Sequence, residues 1–393
     1  SQHTGRIVLG VAAGESGIQL GTGGLKTNDE VYFGQYTDFD SYNVPWVVLN
    51  PNGFLLSKYQ LVSVTFRAHD TGYYNRSGLH AYMGRLYYDM FRTLPEQAAI
   101  KDTELTGDSM FAGESNLPGQ KLFPLSYDEA DALGWGSNVL IAATIAQPNG
   151  RGQPWWLRSS DSDTSARYVQ SDGTAASSGL RFLYGIRPAL NLDLDAVLFT
   201  SAAVGGKASG PVGPGALNAN LSPSGKTIWK LTLLDTAPGS DRENFAVSTR
   251  SVSVSRAGGN VSVTYAYAKT GTNEYLSALL TDSANHVLYY GRLKSLPAFQ
   301  DAGTQSITIP ALPAGNYTLK IFNEQYNGDY KTDYASAFQD VALTVSGPTP
   351  VPTLSPNIPQ TGDKAQPGLW IGLVCLAGAG LAASLMLGRR KRG

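Results

Sequence analysis

The chain has 393 residues, 42% of them hydrophobic and 16% charged, with a net charge of −1. That is enough apolar material for more than one core, and it leaves no basic stripe for nucleic acid. The single cysteine, Cys375, lies in a C-terminal apolar run, so disulfides and thiolate metal sites are excluded from everything before it.

Taken from the start, the chain opens at Ser1 without a Met. For an exported protein this means a removed signal or a fragment start. "GVAAGESG" and "GTGG" follow no strand-to-helix pattern, so a phosphate loop is not indicated. "EVYFGQY" (30–36), "PWVVLN" (45–50) and "GFLLSKY" (53–59) read as strands. Leu79, Tyr82, Met83, Leu86, Tyr87 and Met90 then recur at helical spacing after Ser77 and predict an amphipathic helix with a core-facing stripe. "SYDEADALG" predicts a second, compact helix, with a capping box from Ser126 to Glu129 and a stop at Gly134. Strands, two helices, long loops and a final strand predict an α+β domain over 1–200. His3, His69, His80 and His286 are scattered without an H-x-x-x-H pair, so no zinc centre is expected.

The stretch 154–192, "PWWLRSSDSDTSARYVQSDGTAASSGLRFLYGIRPALNL", carries most of the chemistry. In an extended chain Trp155 and Trp156 point to opposite faces, which predicts one core ring and one partly exposed ring suited to stacking on sugars. Arg158 and Arg187 either reach ligand carboxylates or phosphates or, as we favour, bond loop carbonyls or a carboxylate such as Asp161. Asp161, Asp163 and Asp172 fall at positions 1, 3 and 12 of an EF-hand-like loop, but Ala166 stands where Gly is needed. An EF-hand is therefore not expected, while a looser calcium site stays open. With Ser160, Arg167, Tyr168, Arg181 and Tyr184, these residues form the expected ligand-binding loop. No cofactor is expected.

Together with "VYFGQY…WVVL…LLS", "SGLHAYMGRLYYDMF" and "LFPLSYDEA", the Trp-Leu-Arg-Ser and Gly-Ile-Arg-Pro-Ala signatures resemble an uncharacterised domain family of Gram-positive surface proteins. The order Trp-Leu-Arg-Ser strand, variable polar loop, Gly-x-Arg strand is also similar to the C-type-lectin-like fold. That resemblance implies a lectin-like head. The cysteine-dependent chemistry of the formylglycine-generating enzymes of that fold is set aside, because the head has no cysteine.

Residues 201–226 are rich in Gly, Ala, Ser and Pro and read as a linker or long loop. From 227 to 346 come short strand-like runs between turn residues, among them "TIWKLTLLD", "NVSVTYAYA" and "NYTLKIFNEQ". They predict an immunoglobulin-like β-sandwich that serves as a spacer. Val252 and Val254 alternate into Val261 and Val263 around Gly258-Gly259-Asn260, which predicts a hairpin. Residues 347–357 are Pro-rich and read as an extended stalk.

The tail joins Ile358-Pro359-Gln360-Thr361-Gly362 to an uncharged run, 369–387, and then to Arg389-Arg390-Lys391-Arg392. The run is long enough to form a transmembrane helix, with the basic end held inside. The whole of 358–393 resembles the cell-wall sorting signal of Gram-positive surface proteins, with Ile in the place usually held by Leu. The resemblance implies a sortase as partner, a cut between Thr361 and Gly362, and a covalent bond from Thr361 to peptidoglycan. Pro359 kinks and extends the peptide, and Thr-Gly offers an unhindered bond.

The fold class expected from sequence is thus an α+β lectin-like head, an all-β immunoglobulin-like sandwich and a C-terminal transmembrane helix. The function expected is a wall-anchored adhesin-type protein whose head binds a host or microbial glycan or protein. The alternatives are a structural surface-layer component without a ligand and an extracellular glycan-acting enzyme. Catalysis is not the expectation, since no G-x-S-x-G elbow or nucleophile–base pair is legible.

Overall fold

The computed structural model describes residues 17–23, 25–37, 40–67, 72–106, 116–207, 215–220 and 228–347. The sorting motif, the apolar run 369–387, nearly all of the stalk and His69 lie outside them. No helix among the described residues is long and apolar enough to cross a membrane.

Strands dominate. Among the described residues there are 24 strands against α-helices of 13, 5 and 5 residues (Gly78–Met90, Leu94–Ala98 and Tyr127–Asp131). The α+β lectin-like head is therefore corrected to a mostly β structure with small helical insertions. The physical reason is periodicity. Only Leu79, Met83, Leu86, Tyr87 and Met90 form a buried helical stripe, whereas most other core residues lie on strands. The two helix starts read from the sequence do form. Ser77 accepts from the His80 N–H, and Ser126 and Glu129 close a reciprocal capping box.

A 14-stranded sheet forms the spine. Its path runs from Ala189–Asn191 through Phe54–Ser57, Ser41–Asn50 and Glu30–Thr37 to Ile228–Leu234. It continues through Asp333–Ala335, Gly315–Gln325 and Glu274–Thr281 to Val287–Ser295 and Asn218–Ala219. Ile228–Leu234 is the splice. Its first half pairs in parallel with Glu30–Thr37, its second half in parallel with Asp333–Ala335, and its other edge with Val197–Ala202. Alternation along this strand serves two sides at once: Trp229, Leu231 and Leu233 enter the first core, while Lys230 and Thr232 face away from it.

The second core lies between the far part of that sheet and a three-stranded sheet of Ala246–Val247, Gly259–Ala266 and Gly303–Ile309. The expected isolated immunoglobulin-like sandwich is corrected accordingly, because its larger sheet does not end at an edge but runs on through Ile228–Leu234 into the head. The expected hairpin at Gly258 is also corrected. Ser251–Ser255 pairs in parallel with Gln339–Ser346, and Gly259–Ala266 belongs to the other sheet, so the chain crosses between layers there. Gly258 sits at φ +86°, and a side chain would strike the carbonyl of Ile309.

The segment read as a linker contributes buried, paired residues where it is described. Asn220 bonds the backbones of Ile18 and Val287, and Lys207 is fully buried.

Candidate functional site

The expected ligand-binding loop folds as strands rather than as a loop. Trp155–Ser162, Ser165–Val169 and Ala175–Gly179 run back and forth in a five-stranded sheet completed by Leu183–Gly185 and Ser63–Thr65.

Trp155–Ser162 is an inner strand of that sheet, covered on both faces. Both tryptophans are consequently buried, where one had been expected to be partly exposed. Trp155 donates to the Leu140 carbonyl and lies under the Arg187 guanidinium. Trp156 donates to the Val64 carbonyl and packs edge-on against Phe66. Arg158 pairs with Glu129 and the Pro124 carbonyl. Ser160 donates to the Gly72 carbonyl. These residues position the site; they do not line it.

The carboxylates do not converge. Asp161 pairs with Arg167 at 2.7 Å and accepts from Ser165. Asp172 accepts from both the N–H and the hydroxyl of Thr174, which lowers its pKa. Asp163 is exposed in the turn between the two strands. Asp161 and Asp172 flank opposite ends of the Ser165–Val169 strand, so they cannot share one cation. No group of three or more metal-ligating side chains occurs among the described residues.

What the structure does bring together is an aromatic series. Buried Trp156 touches Tyr184 at 4.8 Å between ring centroids. Tyr184 stacks on Tyr168 at 4.4 Å, and Phe182 stacks on Tyr184 at 6.2 Å with an interplanar angle of 14°. Burial and the neighbouring Tyr184 hydroxyl raise the Tyr168 pKa, so its phenol stays neutral. At the outer end Phe182 and Leu183 are 59% and 65% exposed, beside exposed Arg181.

A cleft of about 210 Å³ opens beside Tyr184, lined by Gln60, Ser63, Thr144, Gln147 and Gln153, with Arg151 as the only charged residue among the described residues that line it. Gln60 is buried and organises it: its side-chain amide donates to the carbonyls of Ala142 and Gln153. Its own backbone N–H bonds Ala143 and its carbonyl accepts from Ile145. A second cleft of about 680 Å³ shares Gly150 with the first and contains Lys58, Glu30, Tyr59, Asn138 and Arg187. Lys58 and Glu30 pair at 2.8 Å. Arg187 is buried and donates to the carbonyls of Ser57 and Val139. Burial without a carboxylate pushes its pKa down.

Sequence reasoning placed Tyr168, Arg181 and Tyr184 at this surface but missed Gln60, Arg151, Phe182 and Leu183. Phe182 and Leu183 had a legible signal, being an apolar pair inside a Ser/Gly-rich turn region. Gln60 had none, since its partners lie 82 and 93 residues away. His80 bonds Gln120 and packs on Tyr74, as a structural histidine does.

No curated protein matches the chain. Residues 50–194 match a domain of unknown function, DUF6273, and this span holds Gln60, the tryptophan pair, the aromatic series and Arg187.

Proposed function

We propose that this protein is a surface-displayed, non-catalytic binding protein whose ligand is a neutral glycan held in the cleft beside Tyr184. The observation that carries the reading is the lining itself. The Tyr184 side chain stands next to three glutamines, a serine and a threonine. Ring faces stack on the apolar faces of sugars, while amides and hydroxyls match sugar hydroxyls as both donors and acceptors. Glycoside hydrolysis needs paired carboxylates, and among the described residues lining this cleft there is no Asp or Glu. In this reading the chain is attached to peptidoglycan through Thr361 by a sortase acting on Ile358-Pro359-Gln360-Thr361-Gly362.

The test is a glycan array with the full-length protein, with and without calcium, followed by calorimetry on any glycan retained. The expected result is calcium-independent binding that falls at least tenfold in Tyr184→Ala. An array without a specific binder, or a glycan bound equally by Tyr184→Ala, overturns it. Exposed Phe182 and Leu183 favour a second reading, a protein ligand on this edge. In that case Phe182→Ser abolishes binding of the protein partner and no glycan is retained. Attachment is checked separately: Thr361→Ala should move the protein out of the wall fraction.

A further inference from the structure

Behind the splice strand lies a buried group of charges that the proposed binding function does not use. Lys207 Nζ donates to Thr232 Oγ1 at 2.8 Å, to Asp333 Oδ2 at 2.6 Å and to Glu324 Oε1. Lys230 Nζ reaches the same Asp333 Oδ2 at 2.7 Å and also donates to the Gly328 carbonyl. The side chains of Lys207, Glu324 and Asp333 have no solvent exposure, and that of Lys230 is 1% exposed. Four elements converge here because of strand alternation. Lys230 and Thr232 point away from the first core, and Glu324 points away from the second, whose residues Leu319 and Ile321 lie on the opposite face of the same strand. Asp333 sits on the short strand between them. The Phe199 ring, 4.7 Å from Lys207 Nζ, and Tyr326 wall the group off.

Two cations and two anions without solvent are costly to bury, even when mutually paired. Joining Lys207 to Asp333 covalently would remove two of these buried charges. The geometry points to an intramolecular amide bond between Lys207 Nζ and Asp333 Cγ, formed with Glu324 as the proton carrier.

The groups are placed for each step. The Lys207 ammonium passes one proton to the Glu324 carboxylate that it already touches, which leaves a neutral amine against the Asp333 carboxyl. The nitrogen attacks Cγ, and negative charge gathers on Oδ1. Oδ1 already accepts the Asn327 backbone N–H at 2.8 Å, the arrangement that stabilises an oxyanion. A second proton from the attacking nitrogen and the one held by Glu324 go to Oδ2, which leaves as water. The C–N bond replaces the C–O bond, Glu324 returns to its carboxylate, and no oxidant or cofactor is needed. Tyr290 donates to the other Glu324 oxygen at 2.7 Å and fixes its orientation. Amide formation is unfavourable in bulk water, but fixed neighbours reach effective molarities of about 10⁵–10⁸ M. A site closed by aromatic rings also keeps water from reversing it. Glu324 serves the Lys207 bond because, of the two lysines, it is Lys207 whose Nζ donates to it. The consequence is a covalent staple between the segment after Val197–Ala202 and the strand Asp333–Ala335, in a chain whose body has no thiol.

The test is high-resolution mass spectrometry of the purified full-length chain after proteolysis. The expected product is a branched peptide joining the Lys207 and Asp333 segments, one water lighter than its two parts. Lys207→Arg and Glu324→Gln should yield only the linear peptides. The wild-type digest decides the matter even if either variant fails to fold. Linear Lys207 and Asp333 peptides in the wild type, or a branch through Lys230, overturn the assignment. A fully branched Glu324→Gln digest overturns the role given to Glu324.

Discussion

Arg158 and Glu129 meet fork to fork: Nη1 lies 2.5 Å from Oε2 and Nη2 2.9 Å from Oε1. The same Glu129 oxygen that takes Nη1 also accepts the Ser126 N–H, so one carboxylate caps a five-residue helix and holds it to the tryptophan strand. Arg158 Nη1 further donates to the Pro124 carbonyl. Removing one partner of such a pair leaves the other uncompensated. Glu129 is 31% exposed and keeps its cap, so Arg158→Ala should cost about 1–3 kcal/mol, read as a lower urea midpoint. Arg158→Lys should recover only part of it, because an ammonium cannot bridge both oxygens. Wild-type stability in Arg158→Ala would count against this account.

Lys58 and Glu30 pair in the larger cleft, and the pairing outweighs desolvation, raising the Lys58 pKa above its ordinary 10.5. In this pH range the folded state holds a proton that the unfolded state has begun to lose. The stabilisation is thus fully present below 10.5 and is lost as pH rises through the folded value. The Lys58 side chain is 34% exposed, so screening limits the effect. Lys58→Met should cost about 0.5–1 kcal/mol at neutral pH and less at high salt. Urea unfolding of both proteins from pH 7 upward should show the difference shrinking above pH 10.5. A difference that grew there would contradict the pairing.

Gly185 lies against Gln60, and a methyl group there would collide with the Gln60 amide. That amide tethers Ala142 and Gln153, the two ends of the segment between the clefts. Gly185→Ala should cost about 1–3 kcal/mol and weaken ligand binding together with stability. Amide hydrogen exchange should locate the loss of protection at 142–153. Unchanged exchange there would show that the segment is held by other contacts.

The staple at Lys207 closes a loop whose ends are 126 residues apart. By analogy with disulfides, its entropic effect on the unfolded chain is about 5 kcal/mol. Lys207→Arg keeps the charge and loses the bond, so its guanidinium midpoint should fall well below that of the wild type. Equal midpoints would contradict a staple that restrains the unfolded chain.

Local signals were legible where neighbours in sequence are neighbours in space. The Gly78–Met90 helix, its Ser77 cap and the Ser126–Glu129 box follow from spacing within a few residues. Most strands between 227 and 346 were likewise legible from alternation. The lectin-like reading failed because a Trp-Leu-Arg-Ser strand and a Gly-x-Arg strand do not specify which strands lie between and beside them. At the candidate site Tyr168 and Tyr184 were legible as residues, but their 4.4 Å stacking was not.

By itself the sequence determined composition, the absence of thiols from residues 1–374, the helix caps, and the alternation that makes Ile228–Leu234 two-faced. Only the tertiary structure decided what those two faces meet. Pairing partners in a sheet are chosen by register and burial over long separations, not by local propensity. Hence Lys230, a lone charge in an apolar run, is resolved by Asp333, and Gln60 by carbonyls beyond residue 140.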